Sequence, residues 1–126
     1  MGSCCCRPTF SSAEDIAKAR NLDGINGPPD YPRAAQEFTE FGVPDLAIFC
    51  WLAADRPHLA QSVYERTSFY IIDKQIGLRI PIWRMIMGVR MKDRLITEDG
   101  RDEYLRAIIV SGGSVPTWVD RALSLI

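Results

Sequence analysis

Histidine occurs once in this chain of 126 residues, at position 58, and cysteine only at positions 4, 5, 6 and 50. One imidazole leaves His58 as the sole histidine base for acid–base chemistry, and nothing in the sequence sets it beside a nucleophile. No apolar run reaches the eighteen or so residues that a membrane span requires. No apolar stretch follows Met1, so a secretory signal is not expected, and scarce arginine with acids by position 14 speaks against a transit peptide. A net charge of −1 provides no global field for nucleic acid, and none is expected as a partner. Alternating apolar–polar runs are scarce, which leaves little room for half-buried strands.

What is present is ordinary for one globular domain: 47% hydrophobic and 25% charged residues. A domain this size removes roughly two-thirds of its unfolded surface from water. The charge is uneven. Residues 1–73 hold ten acids and six bases, residues 74–126 nine bases and six acids, and the run Lys74–Lys92 has five bases and no acid.

The pattern predicts an all-α domain of five to seven short helices over 11–126 behind a tail of residues 1–10. Ser11 and Ser12 ahead of Glu14 and Asp15 have capping-box spacing for a helix over 12–22. The Gly- and Pro-rich stretch 23–32 is expected to be a loop or linker that separates that helix from the rest. Asp30 caps and Pro32 starts a helix to Phe41, with Gly42 at its C-terminal stop. Pro44 opens the next, with Leu46, Phe49, Cys50 and Ala53 as its buried stripe. Pro57 opens a longer helix to Gly77, with Leu59, Val63, Tyr70 and Ile76 on one face. From Pro81, the residues Ile82, Met85, Ile86 and Val89 recur at helical spacing. Thr97 is expected to cap a helix through Ile109, and Trp118, Ala122 and Leu125 to face inward from a terminal one. No fixed period recurs, which excludes a solenoid.

The opening Met-Gly-Ser-Cys-Cys-Cys-Arg-Pro carries the functional signal. Gly2 with a small third residue suits N-myristoylation, because the reacting amine must be free of a side chain; Cys6 stands where the pattern prefers Ser or Thr. One myristoyl chain binds membranes with an association constant of only about 10⁴ M⁻¹, so a second signal is needed. Cys4, Cys5 and Cys6 are thioester acceptors placed to supply it. The leader resembles the dual-acylation leaders of lipid-anchored eukaryotic signalling and flagellar proteins, which implies an address rather than an activity. A metal site is not expected, since three adjacent cysteines cannot converge on one tetrahedral ion without strain; the three thiols read equally as incidental residues of a frayed terminus, or as small apolar contacts buried against a partner.

Three other stretches need weighing. The basic segment 74–92 offers Arg79, Trp83, Arg84 and Arg90, with Arg7 of the tail, as membrane or partner contacts. It reads more readily as a core-packed helix with a solvated arginine face. Two glycines in 110–118 leave N–H groups that could hold an anion, or simply break a helix. Cys50 in an apolar Phe-Cys-Trp-Leu setting reads as inert filling; with His58 it forms the alternative of a small enzyme or ligand-binding domain. The preferred expectation is a non-enzymatic helical interaction protein with no cofactor. It would sit inside the cell, tethered to the cytoplasmic face of a membrane or docked with other protein subunits as an accessory subunit.

Overall fold

A ten-residue segment with one charged side chain decides the arrangement of the rest. In Pro44–Ala53, every residue from Ala47 to Leu52 is buried, so no face of this helix meets water. The sequence pattern had assigned it one apolar stripe. It is instead the central post of the fold.

The computed structural model describes residues 10–67 and 77–126. Among them it contains seven helices and no strand: α1 Ala13–Ala19, α2 Tyr31–Phe41, α3 Pro44–Ala53, α4 Pro57–Arg66, α5 Arg79–Met91, α6 Arg94–Val110 and α7 Thr117–Leu125. The all-α expectation holds. Helix α3 packs against α2, α4, α5 and α7, and α1 lies on α2. Three aromatic pairs clasp neighbours together. Phe38 of α2 stacks on Trp118 of α7 at 5.4 Å. Phe49 of α3 meets the edge of Tyr104 of α6 at 4.8 Å. Tyr64 of α4 tilts against Trp83 of α5 at 5.1 Å. Such pairs add about 0.5–1.5 kcal/mol beyond the area they bury.

Local chemistry explains most boundaries. The Ser12 hydroxyl accepts from the Asp15 N–H, while the Asp15 carboxylate accepts from Ser11, so the expected capping box closes one residue early. Asp30 accepts from the Arg33 N–H, and Gly42 ends α2 in the left-handed region at φ 89°. Pro44 and Pro57 open α3 and α4. The stretch 23–32 is not a spacer. The Asp30 N–H donates to the Arg20 carbonyl at 2.9 Å, Leu22 is fully buried, and Arg20 grips Glu37 of α2 through two bonds of 2.6 and 2.9 Å. This makes it a closed loop that ties α1 to the core.

Other expectations need correction. Helix α5 begins at Arg79, two residues before Pro81. Helix α6 begins at Arg94, capped by Asp93, whose carboxylate accepts from the Leu95 and Ile96 N–H groups; Thr97 lies inside the helix. Leu59 and Leu125 are exposed, because Ala60 and Leu123 turn inward beside them. Helix α4 ends at Arg66, and Tyr70, Ile76 and Lys74 lie outside the described residues, as does the tail up to position 9. Phe10, assigned to the tail, packs partly on the core.

Helices α5 and α6 form the most intimate pairing, an antiparallel hairpin in which each presents a glycine to the other. A Cβ on Gly88 would lie 2.6 Å from the Thr97 backbone nitrogen. One on Gly100 would lie 2.8 Å from the Pro81 carbonyl oxygen and 2.9 Å from the Met85 nitrogen. Helix propensity alone predicts that alanine at either position stabilises by about 1 kcal/mol. The contacts reverse that sign, because the obstructing atoms are backbone. Gly88→Ala and Gly100→Ala are each expected to destabilise by about 2 kcal/mol, read as a drop in Tm of roughly 5–10 °C by thermal melting. An unchanged or raised Tm would contradict this packing.

Candidate functional site

The cations singled out in the sequence sit on two flanks of α5, and both flanks are occupied. On one, Arg79 Nε donates to the Tyr64 hydroxyl at 3.2 Å, Arg90 Nη1 donates to Gln61 Oε1, and Trp83 rests on the Tyr64 ring. On the other, Arg84 Nη1 pairs with Glu103 Oε1 of α6 at 2.9 Å. The apolar face of Ile82, Met85 and Ile86 is fully buried. The helix is thus core-packed, with its polar side chains fastening it to α4 and α6. The exposed Arg84–Glu103 pair adds roughly 0–1 kcal/mol. Gly2, Cys4, Cys5, Cys6 and Arg7 lie outside the described residues.

The end of the α5–α6 hairpin is different. Helix α5 stops on Lys92, held in the left-handed region at φ 55°, with the Asp93 N–H reaching back to the Gly88 carbonyl at 2.8 Å. Met91 and Leu95 flank this turn and are 61% and 73% exposed. Lys92 makes no ion pair among the described residues, and the partner of Arg90 is neutral. Arg94 pairs with Glu98 at 2.8 Å. The sequence signal for this turn was weak, because neither Gly nor Asn marks the helix stop.

The alternative site does not assemble around its two named groups. Cys50 is fully buried in α3, where loss of water pushes its thiol well above the ordinary range, while His58 is exposed in the first turn of α4. The two glycines at 112 and 113 have no N–H to spare for an anion. Gly112 donates to the Ile109 carbonyl and Gly113 to that of Ile108, each at 3.0 Å, which closes α6. Glu98 and Glu103 are engaged with arginines, and no group of His, Cys, Asp or Glu among the described residues could hold a metal ion.

Two polar features lie near the core. Asp45, half-buried at the start of α3, has its carboxyl pushed up by loss of water, against the lowering effect of the Asp45 and Leu46 N–H groups. It in turn helps burial raise the Tyr104 hydroxyl. The Tyr31 hydroxyl is buried; burial, then the nearby Cys50 thiol, push its pKa up, against the opposing effect of the Arg121 guanidinium beside it. A shallow cleft of about 400 Å³ runs between α2 and α4 over Trp51, with Gln36, Glu40, Leu59 and Arg66 among its walls.

Comparison with protein-family models, curated proteins and solved structures finds no match for this chain. Its function is therefore argued from its own residues.

Two outcomes test these environments. Asp45 holds its proton more tightly folded than at its ordinary 3.8, so its contribution to stability is present at low pH and is lost as pH rises. Asp45→Asn cannot ionise. Its Tm relative to the native chain is expected to be higher at pH 7 than at pH 4, and a gap that shrinks with rising pH would contradict the assignment. In the native fold at pH 8, iodoacetamide followed by peptide mapping is expected to leave Cys50 unmodified and to label it fully in denaturant. Rapid labelling of folded Cys50 would return it to the list of candidate nucleophiles.

Proposed function

We propose that this chain is a non-enzymatic helical interaction module held at the cytoplasmic face of a membrane by acyl chains on Gly2 and on one or more of Cys4, Cys5 and Cys6. The observation that carries the reading is the leader itself, a glycine acceptor with three thiols within four residues of it. Two acyl chains are what stable anchoring requires, since each buried CH₂ contributes about 0.8 kcal/mol and one chain holds only reversibly. No helix among the described residues is long and apolar enough to cross a membrane, so attachment by the fold would have to be peripheral. An accessory subunit docked in a larger assembly is the variant of this reading in which the leader packs against protein instead.

Intact-mass spectrometry of the protein from its native source tests this directly. The expected result is a myristoyl adduct on Gly2 with hydroxylamine-labile palmitate on the thiols. Gly2→Ala is expected to move the protein from the membrane pellet to the supernatant on fractionation. An unmodified N-terminus that retains Met1, with fractionation indifferent to Gly2, would end the anchor reading.

A further inference from the structure

We propose that the turn joining α5 and α6 is a second membrane contact, one that inserts Met91 and Leu95 among lipid headgroups while Lys92 meets anionic phosphates. This deepens the tether reading by naming the surface that faces the lipid. It does not need the acyl chains in order to be tested.

Four observations converge on the turn. Two large apolar side chains stand out at this end of the hairpin, Met91 at 61% and Leu95 at 73% exposed, while Met87, Val89 and Ile96 near them are half-buried and Met85 and Ile86 fully buried. The cations beside them are not matched by carboxylates. Lys92 has no ion-pair partner among the described residues, Arg90 binds the neutral Gln61, and Arg94 alone is balanced, by Glu98. The one acid within the turn, Asp93, is consumed as the cap of α6. Finally, Lys92 occupies a left-handed position. Among the described residues, the other non-glycine residues in that region are Asn21 and Asp55, types that tolerate it, whereas lysine does so at a cost that glycine would avoid. Backbone strain at an exposed tip makes this position a candidate for function.

The geometry favours lipid over a protein partner. Exposed apolar side chains on either side of an unpaired lysine match an interface in which hydrocarbon lies under a layer of phosphates, and the lysine stem can reach upward to that layer. The contact is small, as suits a supplement to an anchor. The acids of α6 that follow, Glu98 and Asp99, lie about one turn behind the tip, on the side away from the surface when the hairpin stands on end.

The test uses the full chain expressed without acyltransferase, sedimented with vesicles of phosphatidylcholine alone or with phosphatidylserine added. Binding is expected to the anionic vesicles and to fall as salt is raised. Lys92→Glu is expected to weaken it about thirtyfold, Lys92→Gly about fivefold, and Leu95→Ser at least fivefold. Arg106→Glu makes the same charge change about 18 Å further along α6 and is expected to alter binding less than twofold. Lys92→Gly is also expected to raise Tm, so that stability and binding move in opposite directions, which a purely structural lysine would not produce. No sedimentation with anionic vesicles, equal sedimentation with neutral ones, or binding indifferent to Lys92 and Leu95 would each overturn the proposal. None of these results depends on whether Gly2 is acylated, so failure here and failure of the anchor are told apart.

Discussion

Helix α3 has no face that water can solvate. Its residues from Ala47 to Leu52 run Ala-Ile-Phe-Cys-Trp-Leu, and each large side chain among them loses about 1.5–3 kcal/mol of stabilisation if left exposed. Four helices are needed to enclose such a post, and α2, α4, α5 and α7 do so. Enclosure also dictates how the flanking helices meet. The aromatic clasps are made between those helices or on α3 itself. The hairpin of α5 and α6 closes tightly because Gly88 and Gly100 let the two backbones come together. The short proline-started connections follow from the same demand, since helices packed around a ten-residue axis must turn back within a few residues.

That enclosure leaves little chemistry inside. The buried Cys50 thiol is raised by loss of water, and the Tyr31 hydroxyl is buried near it. Asp45 is tolerated because it lies at the start of α3, where two N–H groups and the positive end of the helix offset part of the loss of water. Around the periphery, arginines that looked available in the sequence are spent on binding helix to helix. The α5–α6 turn escapes this, because a helix end is where the chain must leave its neighbours.

Local signals were legible wherever one residue type answers one local need. Asp30, Gly42, Pro44 and Pro57 mark helix ends that the backbone must satisfy whatever surrounds them. The apolar face of Ile82, Met85 and Ile86 was legible for a similar reason, because its period is helical and its flanks are charged. Thr97 misled because it has the chemistry of a cap, and only the close approach of Gly88 shows why a small β-branched residue sits inside the helix. Lys92 gave no signal at all, since its left-handed conformation replaces the glycine that usually ends a helix. Burial of α3 on all sides, and exposure of Leu59 and Leu125, are decided by which helices arrive next to them. A sequence read one helix at a time does not contain that information. The proposal for the leader rests on its residue types alone, and those residues lie outside the described ones.

The leader and the turn also bear on each other energetically. A first acyl chain holds a protein to a bilayer only marginally, yet it raises the effective concentration of every other lipid-facing group on the same molecule. Under those conditions even a modest contact multiplies the residence time of the whole chain. Such a contact should be small, exposed, and carried on a rigid element, so that ordering it takes little entropy. The α5–α6 turn meets each condition. Its two apolar side chains project from helix ends fixed by the glycine contacts one turn below, and its lysine is already held in one backbone conformation. An equally basic but flexible loop would lose part of its binding energy to ordering.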